Sequence, residues 1–288
     1  MAMKTELLEV IREARGVLQM YRESGLDELP KDVSSMARTK KSAPPSQASA
    51  PAASAPHTQL AATKMAPAPK VPPRVEAAKV SPSSADFVPD DARLDNEPPS
   101  PDERKVKLAQ LAESIQSCQN CPLGATRIQT VFARGNANCE VFFVGEGPGA
   151  DEDEQGLPFV GKAGQLLDKM IAAMGMKPED AYIANIVKCR PPNNRKPEPA
   201  EMTACIGYLH RQIAWVRPKV IVALGATAVE GLLGLTGITK LRGQFRLYRG
   251  EIPTMPTYHP SYLLRVPTMK RDAWEDLKQV MARLGHKA

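Results

Sequence analysis

The sequence holds no apolar run of the roughly 18–20 residues that a membrane span needs. Its first residues, MAMKTELLEV, set Glu6 and Glu9 where a secretory signal needs an uninterrupted apolar core. The expectation is a cytoplasmic protein whose five cysteines are not structural disulfides. Aromatics are scarce, at 5% of 288 residues. Residues 42–101 lack Gly, Cys and Trp altogether, and Phe87 is their only aromatic. Ala, Pro and Ser fill 35 of those 60 positions. Such a segment cannot bury enough apolar surface to offset its conformational entropy, which excludes a core there. Its prolines favour an extended, semi-stiff linker.

Net positive charge is missing from the first part of the chain. Residues 1–103 hold 13 Lys and Arg against 15 Asp and Glu, whereas residues 104–288 hold 25 against 17. A basic domain of this kind either attracts a polyanion, nucleic acid first among them, or is simply a solvated basic surface. Three regions follow: an N-terminal segment 1–30, a disordered linker 31–102, and a globular domain 103–288. Within the first, Leu7, Ile11, Leu18 and Tyr21 suit one amphipathic helix over about residues 4–24. A lone helix makes no core, so it docks on the main domain or binds a protein partner; the second reading is preferred. The chain is expected to be a monomer.

From residue 103 the pattern alternates. A helix over 103–117 precedes an apolar strand in CEVFFVG. Helices are expected in GQLLDKMIAAMG, PAEMTACIGYLHRQIAWV, ATAVEGLLG and TMKRDAWEDLKQVMARL. Strands are expected in AYIANIV, KVIVALG, FRLYRG and EIPTMPTYHP. Alternation of this kind implies an α/β fold with a parallel sheet covered on both faces. Ligands then bind at the carboxyl ends of the strands, in the loops after Val144, Val187, Leu224 and Pro256.

Cys118 and Cys121 form C-x-x-C, a spacing shared by redox sites, zinc sites and chance. Cys189 at a strand end and Cys205 in the next helix are placed to join them. Four thiolates hold zinc or an iron–sulfur cluster, and the 16-residue spread of the second pair suits the bulkier cluster. Cys139 reads as a buried small hydrophobe.

Three loops carry the remaining chemistry. In residues 145–164, Gly145, Gly147 and Gly149 let main chain approach a ligand. The five acids that follow, Glu146 and Asp151 to Glu154, disfavour a nucleoside triphosphate site, which wants lysine. Phe159 is a core plug or a stacking platform. Asn185 can pair with a base edge through two hydrogen bonds, or cap its strand. In Y-H-P-S-Y-L-L-R, His259 is a structural histidine or one that meets a developing anion, while Tyr262, Leu263 and Leu264, followed by Arg265, suit wedging into a base stack.

As a set, C118-x-x-C121, G145-E-G-P-G, G156-L-P-F-V-G, N185-I-V-K-C-R-P-P, the Cys205 helix and H259-P-S-Y-L-L-R resemble the iron–sulfur uracil-DNA glycosylases of family 4. The resemblance covers about residues 104–288. It implies a three-layer α/β/α fold with a short four-stranded parallel sheet, and uracil-containing DNA as substrate. It implies a 4Fe–4S cluster on Cys118, Cys121, Cys189 and Cys205, with a structural role. It also implies that Phe159 stacks on a flipped uracil and Asn185 reads its polar edge. Glu146, Gly147 and Pro148 then complete the pocket, and His259 bonds the O2 oxygen. The best-known glycosylase family has an aspartate where this chain has Gly147. Glu146 and Glu152 are therefore the candidates for positioning water, or Glu152 excludes the thymine methyl group. No His-bearing basic insertion of the covalently trapping relatives is seen, so ordinary turnover is expected. Two rival readings remain at this point: a DNA-binding module without catalysis, and a redox protein.

Overall fold

The computed structural model of the protein describes residues 89–286. The expected helix over 4–24 and the linker up to residue 88 lie outside the described residues. The remaining part of the expected linker does not behave as one. A short 3₁₀ turn, Asp90–Ala92, packs on a long helix of the domain, and Ala92 and Leu94 are buried. Asp91 pairs with Arg211 at 2.9 Å, and Trp215 donates its indole N–H to the Asp91 carbonyl at 3.0 Å. The boundary expected at 103 therefore lies at or before residue 89. Composition misled here, because two apolar side chains suffice to pin a short proline-flanked strap.

Helix α1, Pro101–Ser114, starts where Pro101 follows Ser100. The Glu103 carboxylate accepts the Ser100 main-chain N–H at 3.0 Å, closing the first turn as a capping box does. The rest of the chain then winds a six-stranded sheet in the order β1-β3-β2-β4-β6-β5. Strands β2 (Val141–Gly145), β3 (Tyr182–Asn185), β4 (Val220–Leu224) and β6 (Ile252–Thr257) are mutually parallel. They are the expected four-stranded core. Two short antiparallel edge strands extend it: β1 (Arg134–Gly135) on β3 and β5 (Arg246–Tyr248) on β6.

The central strands are apolar along their whole length because both sheet faces are covered. Phe142, Val144, Ile221 and Ala223 point to one side, beneath α1, α4 (Pro199–Val216) and α5 (Ala226–Leu233). Val141, Phe143, Val220 and Val222 point to the other, beneath α3 (Lys162–Ala173) and α8 (Lys270–Leu284). This is the expected three-layer α/β/α arrangement.

Three short helices were not anticipated. Ala150–Gln155 forms α2 in the acidic run, where Asp151, Glu152 and Asp153 sit in the first turn and favour the positive end of the helix dipole. Ile238–Leu241 forms α6, and Pro260–Arg265 forms α7 with proline at its first position. The last one changes a reading: Leu263 faces inward, only 1% exposed, and packs with Leu166, Met170 and Leu277. A core residue cannot wedge into a base stack. Leu264, 43% exposed, and the partly exposed Tyr262 remain available. No helix among the described residues is long and apolar enough to cross a membrane.

Candidate active site

The carboxyl ends of all four parallel strands open into one cavity of about 740 Å³. It brings together Glu146, Gly147, Pro148, Glu152, Phe159, Asn185, His259, Tyr262 and Arg265. Leu263 and Leu264 do not line it. Glu146 follows the end of β2, Asn185 ends β3, and His259 lies two residues past β6.

Asn185 is 1% exposed, and its Oδ1 atom has no hydrogen-bond partner. A buried amide oxygen without a partner is costly, so it marks a place where a donor belongs. Gly145 lies opposite Asn185 in the parallel ladder. A Cβ at Gly145 would stand 2.5 Å from both Asn185 Oδ1 and the Phe159 ring, so only glycine lets these two groups approach.

Phe159 is buried and held at φ 57°, a left-handed conformation that few non-glycine residues adopt. Its surroundings fix it from both sides. Arg134 Nε donates to the Pro158 carbonyl at 2.9 Å while its guanidinium pairs with Asp168. The Glu152 carboxylate accepts the N–H groups of Val160 and Gly161, each at 2.9 Å, and that of Gly149 at 3.0 Å. Glu152 was expected as a catalytic candidate. Its oxygens are already engaged by main chain, and it acts as the clasp of the loop that presents Phe159. Asp153, the buried acid of the same run, accepts the Ile128 N–H at 2.9 Å and is likewise structural.

His259 caps α7: Nδ1 accepts the Ser261 N–H at 3.2 Å and lies 2.8 Å from Ser261 Oγ. An accepting Nδ1 carries no proton, so the neutral ring bears its proton on Nε2. Burial, helped by the nearby Arg265 charge, lowers the imidazole pKa to about 4, so the ring is neutral at physiological pH. Its centroid is 5.6 Å from that of Phe159, with the planes inclined at 32°. Gly225 permits this placement, since a Cβ there would come within 2.9 Å of His259 Cβ. Glu146 accepts a hydrogen bond from the buried hydroxyl of Thr227 at the start of α5.

The four cysteines named from sequence line a second, small cavity, and Cys139 is not among them. Three of their sulfurs meet a potential donor. Arg127 Nη1 lies 3.4 Å from Cys189 Sγ, the Lys188 N–H 3.3 Å from Cys205 Sγ, and the Tyr208 hydroxyl 3.3 Å from Cys118 Sγ. Burial raises the free thiols of Cys121 and Cys189, and that of Cys205 to about 12. Donors aimed at sulfur favour thiolates, and binding to iron or zinc would deprotonate these thiols. Among the described residues no three His, Cys, Asp or Glu side chains are gathered to hold a single ion. The donor set and the shared cavity fit a polynuclear group spread over four thiolates. Cys139 is buried elsewhere, its thiol pushed up to about 12 by burial, as a small hydrophobe would be.

Sequence reading missed Arg134, Thr227 and Lys188, which touch the site only through other residues. Arg134 and Thr227 left no signal in the linear pattern. Lys188 had one: a lysine inside the apolar stretch N-I-V-K-C.

Comparison with known proteins agrees with this geometry. A sequence model of the uracil DNA glycosylase superfamily matches residues 132–278. A type-4 uracil-DNA glycosylase of Thermotoga maritima is 45% identical over 180 residues, covering 61% of this chain and 94% of that protein. One from Saccharolobus solfataricus is 41% identical over 186 residues, covering 62% and 86%. A type-5 uracil-DNA glycosylase of Thermus thermophilus is more distant, 32% identical over 166 residues, covering 46% and 75%.

Proposed function

The chain belongs to the uracil DNA glycosylase superfamily, and on that premise we propose how it removes uracil from DNA and leaves an abasic site. It is a hydrolase of N-glycosyl bonds and acts in DNA repair; its relatives are named type-4 uracil-DNA glycosylases. The observation that carries the reading is the convergence of Phe159, Asn185 and His259 on one cavity, with Asn185 Oδ1 buried and unpartnered.

A uracil cannot react inside the stack, so it must leave the duplex and enter the cavity. There its face stacks on Phe159. Uracil offers a donor at N3 and an acceptor at O4; the Asn185 amide answers with an acceptor and a donor. Cytosine inverts the O4 site and lacks the N3 proton, so the same amide disfavours it. As the glycosidic bond breaks, negative charge gathers on O2. The His259 Nε2–H donates to that oxygen without the cost of a buried charge. The sugar becomes cationic, and the Glu146 carboxylate, oriented by Thr227, stabilises it or orients water. Gly147 and Pro148 contribute main chain and wall. Tyr262 and Leu264 fit a role against the opened stack, and Arg265 a phosphate contact.

The resemblance to the iron–sulfur glycosylases of family 4 calls for a cluster, and the four thiols gathered at one cavity fit a 4Fe–4S cluster on Cys118, Cys121, Cys189 and Cys205. When bound it would tie the turn after α1, the loop after β3 and α4 together, and it enters no step of the hydrolysis.

The test is release of free uracil from labelled single- and double-stranded oligonucleotides. Binding without release from either would overturn the enzymatic reading.

A further inference from the structure

Lys188 is 1% exposed, yet no carboxylate is among its hydrogen-bond partners. Burying a cation is expensive, and although Lys188 also borders the cavity of Cys189 and Cys205, its ammonium bonds run elsewhere, so the position calls for an explanation. Its ammonium donates to the Asn185 main-chain carbonyl at 2.9 Å and to Gln212 Oε1 at 2.6 Å. It lies 5.8 Å from the centre of the Phe132 ring. The Gln212 amide is held in turn: Nε2 donates to the Tyr182 hydroxyl at 3.3 Å and to the Phe132 carbonyl at 3.4 Å.

The sheet explains why a lysine is needed. On its outer edge β3 pairs with β1 only at Tyr182 and Ile183. No strand reaches Asn185 on that side, so its carbonyl lacks a ladder donor. The Lys188 side chain supplies one from three residues further along. The inner edge is held by the ladder itself, through Ile186 N–H to the Gly145 carbonyl at 3.0 Å. Asn185 is thus gripped from both edges while its side-chain oxygen stays free.

We propose that Lys188 is a positioning residue for base recognition: with Gln212 it fixes the main chain of Asn185 so that the amide meets the uracil edge in one orientation. This rests on the reading that Asn185 contacts the base. Lys188 also precedes Cys189, so iron content must be measured beside every activity.

The experiment compares the full-length wild type with Asn185→Ala, Lys188→Met, Lys188→Arg and Gln212→Met. For each, inhibition by free uracil, single-turnover uracil release, affinity for an abasic oligonucleotide and iron per chain are measured. Lys188→Met is expected to weaken inhibition by free uracil and slow release, each by about 10- to 100-fold, the scale of a small misplacement. Affinity for abasic DNA should change by less than about threefold, since phosphate contacts dominate it. Lys188→Arg should recover part of the loss, and Gln212→Met should show a smaller loss in the same direction. A merely structural lysine would lower stability or iron content without changing uracil inhibition per iron-loaded chain. If Asn185→Ala loses uracil inhibition while Gln212→Met and iron-loaded Lys188→Met keep it, the proposal fails. If Asn185→Ala keeps it, the base-reading role fails and the proposal with it. Should Lys188→Met not fold, Gln212→Met, which lies outside the lining of the cysteine cavity, decides, with its iron content measured as for the others.

Discussion

Ser261 donates its main-chain N–H to Nδ1 of His259, and that single bond determines which ring nitrogen can act. With Nδ1 accepting, the proton sits on Nε2 and the ring is a neutral donor. The Pro260 ring starts α7 immediately afterwards and fixes the turn that makes the contact.

His259→Ala should lower the single-turnover rate of uracil release by about 10²–10³, the usual effect of losing one donor to a developing oxyanion. DNA affinity should change far less, because phosphate contacts supply most of it. Arg265→Ala should do the reverse, weakening binding in a salt-dependent way. A His259→Ala rate within about threefold of wild type would make the ring structural and leave Glu146 as the leading catalytic group.

The pH dependence follows from the same ring. Its folded pKa, about 4, lies below the usual value near 6.5. His259 therefore remains the neutral donor down to about pH 4, and its contribution to stability is present above 6.5 and lost as pH falls towards 4. His210 behaves alike: burial lowers it to about 3, and its Nδ1 lies 2.7 Å from the Tyr248 hydroxyl. Single-turnover rates should stay flat from pH 7.5 to about 5 while thermal stability declines over that range. An acid limb at about pH 6.5 would mean that the ring is not buried as described.

Much of this site was legible because its residues follow strand ends at which an alternating pattern predicts a ligand. Asn185 and His259 each stand at or just past the end of an apolar strand, so topology brings them together, whereas Phe159 reaches them from the loop between α2 and α3. The role of Glu152 was not legible. A run of four acids looks solvated or catalytic, and only three-dimensional folding shows which carboxylate closes on the loop that follows it. The burial of Leu263 is not legible in Y-L-L-R, which reads as a loop in the linear sequence. Once Pro260 starts a helix, the two leucines stand about 100° apart around its axis and one of them belongs to the core.

Glu152→Ala should remove the acceptor for three main-chain N–H groups and cost about 2–3 kcal/mol. For a domain of this size that is a fall of roughly 5–10 °C in Tm. Uracil release should slow because Phe159 loses its clasp. Glu152→Gln keeps one acceptor oxygen and should fall between the two. If Glu152→Ala abolished release at unchanged Tm, the carboxylate would act on substrate and not on the loop.

Purified protein should carry iron and absorb broadly in the visible range. Cys→Ala at 118, 121, 189 or 205 should lose iron and stability together, whereas Cys139→Ala should keep both. Equal iron in a Cys205→Ala protein would remove that residue from the ligand set. Zinc in place of iron in wild type, purified without oxygen, would overturn the cluster.

Truncation at two points tests where the folded domain begins. Removing residues 1–88 should leave Tm unchanged, because the strap starting at residue 89 stays in place. Removing 1–97 should not be neutral, although Ser100 and its bond to Glu103 are retained. That cut strips Ala92 and Leu94 from the core and the Asp91 carbonyl from Trp215. It also removes the Asn96 carbonyl, which accepts from Arg217 Nη2 at 2.7 Å. The Asp91–Arg211 ion pair is half-exposed and adds little. Burial of one leucine and one alanine with two hydrogen bonds amounts to about 3–5 kcal/mol. The 1–97 deletion should therefore melt roughly 6–15 °C below the 1–88 deletion. Its tryptophan fluorescence should shift to the red as the Trp215 ring meets water. Equal melting temperatures for the two deletions would show that residues 89–97 lie on the domain without stabilising it, and would restore the boundary near 103 that composition suggests.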